Sequence, residues 1–322
     1  VKSLKKVELH LHLEGAAPPG LIRALSAEKH HDISRIFDEN GAYAYRDFKD
    51  FLRVYEAATS VLTTPRDYAR LLAEVLAECA EQGAIYAELF VSPEFCGGAD
   101  LPAWRDYLAA MEEAATQAER DGIASRAVLT CIRHFGPERA RKTAICAAET
   151  SGGWVAGLGI GGAEDAGELG DFAWAFDCAR EAGLGLTAHA GEWRGPESIR
   201  DALALGVTRI GHGIRAVEDA QLLRDLAERE ITLEVCPGSN VALGLVPGWA
   251  AHPIARLADA GVRVTVSTDD PPFFHTSLSQ EYQRLADAFG WAEAEFRQMN
   301  LWAADAAFCD QTTRTRLRKD LT

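Results

Sequence analysis

The sequence predicts an α/β protein folded as a (β/α)8 barrel, a TIM barrel, with a helical insertion after the first strand. Three observations carry that reading. Eight short apolar runs are spread along nearly the whole chain, amphipathic helical stretches alternate with them, and polar residues gather at the C-terminal ends of the runs. Repeated helix-to-strand alternation favours parallel βα units over antiparallel hairpins.

The first candidate strand runs from Val7 to Leu13. It is followed by a long helical stretch, residues 18–82, that includes FKDFLRVYEAAT and PRDYARLLAEVLAECAEQG. This exceeds a simple crossover and reads as an insertion or cap over the strand-end face. Phe48, Phe51, Leu52 and Tyr55 form its apolar stripe, whose ordinary role is core packing. The next strands are Ala84 to Val91, Ser125 to Ile132, Trp154 to Ile160 and Leu184 to Thr187. Arg209 to Gly211, Ile231 to Val235 and Val262 to Val266 complete the set. Between the last five, DFAWAFDCAREAG, GPESIRDALALG, VEDAQLLRDLAERE and HPIARLADAG carry apolar residues at helical spacing, and Gly183, Gly206 and Gly261 stand where those helices would stop. An open doubly wound sheet is the rival fold. Its dinucleotide signature, G-x-G-x-x-G after a first strand, is missing, since GLGIGG at Gly157 to Gly162 has different spacing. The 322 residues fit one barrel domain, residues 1–322.

Composition narrows the function classes. The hydrophobic set is 48% and charged residues 25%, as in ordinary soluble domains. Thirty-three basic residues against 48 acidic ones give a formal charge of -15, with no long Lys/Arg block. That balance argues against a nucleic-acid backbone as ligand but does not repel a neutral base or nucleoside. No specific protein partner is indicated. The seven cysteines are odd in number and form no C-x-x-C pair, which suits reduced, structural thiols in the cytoplasm. Val1 to Lys6 shows no export signal and no run is long enough to cross a bilayer, so a cytoplasmic protein without a membrane role is expected.

In a barrel the informative positions lie at the C-terminal strand ends. His10 and His12 are two apart on the first strand, so both rings point the same way and can share one ion. A lone buried histidine is usually a satisfied core residue, but two rings facing one barrel axis are costly unless they have a partner. His189 ends the fifth strand in LTAHAGE, His212 the sixth in RIGHG, and Asp269 and Asp270 follow the eighth in VTVSTDDP. Three histidines and a carboxylate suit a catalytic zinc with an open position for water. Glu192, three residues beyond His189, is placed to exchange protons with a substrate; a surface salt bridge would be its ordinary explanation. A different zinc-hydrolase pattern, H-x-E followed by P-C-x-x-C, is absent. Cys236 in CPGSN has no paired cysteine and reads as packing, with Ser239 and Asn240 orienting the loop. A Cys-His hydrolase would leave the His10/His12 and Asp269/Asp270 pairs without a role.

Together these residues resemble the adenosine deaminase family within the metal-dependent amidohydrolase barrels. The match runs through HLHLEG (His10 to Gly15), GIGGAE (Gly159 to Glu164), HAGE (His189 to Glu192), GHG (Gly211 to Gly213), CPGSN (Cys236 to Asn240) and STDDP (Ser267 to Pro271). The resemblance implies one Zn2+ per chain held by His10, His12, His189 and Asp269. Glu192 would protonate purine N1 during attack at C6, and His212 would orient or deprotonate the water. Asp270, catalytic together with Glu192 and His212, would hold the substrate through N7 or the attacked face, the Gly162 N–H would meet N3, His12 would also contact the substrate, and Glu14 would reach toward a ribose hydroxyl. It implies hydrolysis of adenosine and 2'-deoxyadenosine to inosine, deoxyinosine and ammonia. Glu14 stands where many members carry Asp, and GIGGAE replaces the familiar DLAGDE, so Gly159 and Ala163 stand where those members carry acids. Adenine, an aminodeoxyfutalosine-like compound or an N6-methyladenine derivative therefore remain alternative substrates. A non-enzymatic purine-binding scaffold is the alternative of another class, opposed by the complete set of ligands and acid-base groups.

Overall fold

The computed structural model of the protein describes residues 4–322; Val1, Lys2 and Ser3, the start of the segment read as lacking an export signal, lie outside the described residues. Eight strands pair in parallel and in sequence order. They are β1 (Lys6–His12), β2 (Ala84–Val91), β3 (Ala124–Ile132), β4 (Val155–Gly161), β5 (Gly185–Ala190), β6 (Arg209–His212), β7 (Thr232–Val235) and β8 (Arg263–Val266). Leu11 bridges in parallel to Asp269, whose carbonyl accepts the His12 N–H at 3.0 Å while its own N–H donates to the His10 carbonyl at 3.1 Å. That bridge ties the end of β8 to β1 and excludes the open doubly wound sheet. Every predicted strand is present. The fifth runs further than its apolar stretch, because the strand continues through the polar His189 to Ala190.

The helices between β1 and β2 are α1 (Pro19–Lys29), α2 (Phe48–Thr59) and α3 (Pro65–Glu81). Thr64 and Asp67 form a reciprocal capping box that starts α3, with Pro65 at the first helical position. α3 packs on β2 and on α4 (Leu101–Arg120), as an outer-ring crossover helix does. The stretch 18–82 thus holds α1, α2 and α3, the last of them packed as a crossover helix. Asp47 caps α2 by accepting the Asp50 N–H at 2.8 Å. From α2, Phe51 is buried edge-on against Phe273 with ring centroids 5.4 Å apart. Phe48, Leu52 and Tyr55, on the same helix, are partly buried and reach the barrel mouth. The stripe thus packs as expected and also walls the cavity beneath it.

Alternation along the strands divides the barrel into an apolar outer layer and a polar interior. On β1, Val7 and Leu9 pack outward with Ala303, Ala304 and Leu317 from the C-terminal helices. Lys6, Glu8 and His10, all fully or almost fully buried, alternate with them. The same phase puts Glu88 of β2, Thr187 of β5, Arg209 of β6 and Glu234 of β7 in contact. Barrel interiors are usually filled by branched apolar residues. Here Arg209 pairs with Glu88 and with Glu234 at 2.6 Å each, and its guanidinium lies 3.6 Å from the Phe308 ring centroid. Opposite charge on two sides is what makes such burial tolerable, since a lone buried charge costs several kcal/mol. Among the described residues, no helix is long and apolar enough to cross a membrane, and all seven cysteines are free.

Candidate active site

The strand ends bring together what the sequence separates. His12 Nε2 lies 3.2 Å from His189 Nε2 and 3.3 Å from Asp269 Oδ1, and His10 Nε2 lies 3.5 Å from the same oxygen. His10, His189, His212 and Asp269 can each offer a donor atom within 4.8 Å of one another. His212 Nε2 sits 3.7 Å from Glu192 Oε2 and 4.0 Å from Asp269 Oδ2. The mutually close group thus holds His212 where the sequence reading had His12, while His12 reaches His189 and Asp269 from its side and Glu192 stands next to His212.

Local backbone makes this convergence possible. His212 and Asp269 both adopt left-handed conformations, with φ of 60° and 66°, which turn their side chains inward as the strands end. Such conformations cost non-glycine residues about 1 kcal/mol or more and concentrate at functional sites. Two glycines give the side chains room. A Cβ on Gly15 would overlap the Asp270 carboxylate, and one on Gly211 would lie 2.9 Å from His10 Cε1.

The donor set fits a divalent metal. His10 Nδ1 is 2.8 Å from Glu234 Oε2, which fixes hydrogen on Nδ1 and leaves the Nε2 lone pair facing the cluster. His10 Nε2 is buried without a hydrogen-bond partner, an orphan that a cation would satisfy. Burial would lower the His10 pKa, yet Asp269 and Glu234 hold it up to about 9, so the surroundings demand positive charge there. Burial opposes ionisation of Glu234 as well, but Arg209 and then His10 keep its carboxyl below the usual range.

Glu192 is buried, and that burial, reinforced by Asp269 and Glu164, pushes its carboxyl well above the ordinary value. Asp270 is raised in the same way, first by burial and then by Asp269, Glu192 and Glu14, and its Oδ1 is buried without a hydrogen-bond partner. His212 is lowered to about 3 by burial, against the pull of Asp269. A neutral acid, a neutral imidazole and a ligand cluster therefore share one chamber.

The cavity above them, about 680 Å³ with its open mouth, is within the range of small-molecule sites. His12, Gly162, Glu192, His212, Asp269 and Asp270 all border it. Glu14 does not. Its carboxylate lies behind the wall, accepting from Tyr68 Oη and the Ser92 N–H at 3.2 Å each. Burial raises its pKa to about 7. At the outer end of the cavity His134 Nε2 faces Glu56 Oε1 at 3.5 Å.

Several residues support the site from outside the cavity. Glu164 closes the turn that carries Glu192: its two oxygens accept the N–H groups of Gly191, Glu192, Trp193 and Arg194 at 2.6 to 3.2 Å, and the Ser198 hydroxyl. Glu234 and Arg209 back His10 from within the barrel. Asn240 Nδ2 meets His212 Nδ1 at 3.3 Å, and His252 Nε2 meets Asn240 Oδ1 at 3.1 Å. Asn240 thus orients a histidine and lies outside the cavity wall. Cys236 is buried, its Sγ 3.6 Å from the Glu234 carbonyl, as a packing residue would be.

Comparison with known proteins agrees with this geometry. The family model for adenosine deaminase matches residues 5–322. The adenine deaminase of Rhizobium leguminosarum bv. trifolii is 49% identical over 316 residues, spanning 98% of each chain. Among solved structures, adenine deaminase from Arthrobacter aurescens superposes with a TM-score of 0.89 at 28% identity, covering 99% of this chain and 98% of that one. An amidohydrolase from Burkhoderia ambifaria with bound zinc gives 0.88 at 28% identity, covering 99% and 90%. A family match that spans nearly the whole sequence, on a barrel whose strand ends carry the residues that first suggested it, leads to one assignment: the chain belongs to the adenosine deaminase family.

Proposed function

We propose that the protein is a zinc-dependent adenine deaminase, converting adenine and water to hypoxanthine and ammonia. The observation that carries the substrate is the 49% identity to an adenine deaminase across 98% of both chains. Adenosine, the first substrate expected from the family resemblance, receives no comparable support, and the alternative of free adenine takes its place. The position of Glu14 agrees with this choice. A carboxylate withdrawn behind Ser92 and Tyr55 is poorly placed to meet a ribose hydroxyl.

His10, His12, His189 and Asp269 would hold the metal, and the zinc-bound relative favours zinc as its identity. A zinc ion there supplies the Lewis acidity that makes water a nucleophile near neutral pH. The protein's own residues do the rest. Gly162 offers its N–H to N3, and Asp270, held neutral by burial, donates its carboxylic hydrogen to N7, so the ring lies with C6 toward the cluster. Glu192, held neutral by burial, gives its proton to N1 as oxygen bonds to C6 and the ring loses aromaticity. The C6–N bond then breaks and the amine leaves as ammonia, its protons returned from the Glu192 side. α2 excludes bulk water through Phe48, Leu52 and Tyr55. Seven unpaired cysteines suit a reducing cytoplasm as the place of action.

The test is turnover of the metal-replete protein on adenine, adenosine, 2'-deoxyadenosine, N6-methyladenine and aminodeoxyfutalosine, read as ammonia or methylamine release. Adenine should give the highest kcat/KM; a higher value for any riboside overturns the substrate assignment and leaves the chemistry standing.

A further inference from the structure

His212 borders the reacting centre, and what it can do there depends on which ring nitrogen carries hydrogen. We propose that His252, a residue outside the cavity, is a positioning residue that acts through Asn240 to hold the His212 proton on Nε2, making His212 a hydrogen-bond donor to the attacking oxygen.

The chain of reasoning starts from a group whose polarity cannot change. The Ile254 backbone N–H, at the start of the helix Ile254–Asp259, can only donate, and its partner is His252 Nδ1 at 3.1 Å. His252 Nδ1 therefore keeps its lone pair, and the neutral ring carries its hydrogen on Nε2. That N–H points at Asn240 at 3.1 Å, which sets Asn240 Oδ1 as the acceptor and turns the NH2 end toward His212. The NH2 group meets His212 Nδ1 at 3.3 Å and uses its lone pair. The remaining nitrogen, Nε2, must then hold the proton, and it is the one that faces Glu192 and Asp269.

Each link resists reversal. Turning the Asn240 amide over would set NH2 against the His252 N–H, and the other His252 tautomer would set two N–H groups against each other at Ile254. A doubly protonated His212 would place Nδ1–H against the Asn240 NH2. His212, Asn240 and His252 are 1%, 0% and 2% exposed, so water is not at hand to replace a mismatched partner. The local fold explains the arrangement. CPGSN enters the short helix Pro237–Ala242, which carries Asn240 under His212, and His252 sits just before the next helix, where its ring caps a free N–H.

The consequence bears on mechanism. His212 in this form cannot accept the proton of the attacking water; it holds the oxygen and stabilises charge as that charge develops. Glu192, once its proton has passed to N1, is the acceptor within reach.

The kinetic part of the test rests on the deaminase reading; the spectroscopic part does not. Nitrogen-15 NMR of the imidazole rings in the metal-replete protein, assigned with His212→Gln and His252→Phe, should show His212 and His252 protonated on Nε2 and unprotonated on Nδ1. Hydrogen on Nδ1 of His212 overturns the inference whatever the substrate is. His252→Phe keeps the ring's bulk and releases the lock, so kcat should fall on the order of tenfold with KM within about twofold and metal content unchanged. Wild-type kcat in that variant also overturns it. If His252→Phe does not fold, the wild-type spectrum alone decides, with His212→Gln for assignment.

Discussion

Substituting Glu164 with Gln should damage both the stability of the protein and the placement of Glu192. The Glu164 carboxylate serves four backbone N–H groups and the Ser198 hydroxyl within one buried turn. Glutamine supplies one carbonyl oxygen in place of two. It keeps either the Gly191 and Ser198 side or the Glu192, Trp193 and Arg194 side, and sets an NH2 group against the donors of the other. Two or three charge-assisted bonds are lost at about 1.5–3 kcal/mol each, and backbone rehydration as the turn relaxes brings the net loss to roughly 3 kcal/mol. Unfolding entropy of about 2.1 cal/mol/K per residue makes this a fall in Tm of roughly 4 °C for a chain of this length. A turn loosened by even an ångström misplaces Glu192, so kcat should drop roughly 10- to 100-fold. Calorimetry and steady-state kinetics on metal-replete protein check both parts. A Tm within about 1 °C of wild type together with unchanged kcat would refute the assignment of Glu164 as the clamp of that turn.

Glu192→Gln should retain metal and lower kcat by roughly 10²–10⁴-fold, because the amide keeps the shape and cannot supply the proton; unchanged kcat at full metal content removes Glu192 from proton transfer. Glu234→Gln loses the carboxylate behind His10 and one partner of buried Arg209, so metal affinity measured by chelator competition should fall roughly 10- to 100-fold, and equal affinity would count against that support. Removing the metal should lower Tm, since binding to the folded state alone adds RT ln(1 + [L]/Kd) to stability; coincident melting curves of stripped and replete protein would contradict the assembled cluster. Burial raises buried Glu281 from an ordinary 4.5 to about 8, so its stability contribution is full below about pH 4.5 and is lost as pH rises toward 8. Gln mimics the neutral acid, and the Tm of Glu281→Gln should therefore gain on wild type between about pH 5 and 8, whereas parallel curves would disprove the shift.

The barrel and its cluster of candidate metal ligands were legible because both write themselves into local order. Alternating apolar runs mark strands, and His10, His12, His189, His212, Asp269 and Asp270 stand at the strand ends, where a barrel gathers its chemistry. The supporting charges were less visible, although VEL, AEL and LEV each place one glutamate between apolar neighbours in the inward phase of a strand. Whether such a glutamate is paired depends on partners more than a hundred residues away, as with Glu88 and Arg209. Glu164 stood in a quoted motif without its role showing, and His252 was not singled out at all. Each acts through hydrogen bonds that only the folded chain assembles, and nothing in the spacing of GIGGAE or AAHPIARLADAG announces them. Glu14 shows the opposite limit: its motif position suggested the substrate's sugar side, while packing turned it toward Tyr68.

The left-handed residues at the end of β6 and in the turn after β8 have an implication for engineering. Heat resistance and reactivity pull in opposite directions at His212 and Asp269, since glycine would relax the chain at both places and abolish the chemistry at both. Variants selected only for surviving high temperature would drift toward that inert barrel, so any such selection needs turnover as a second criterion.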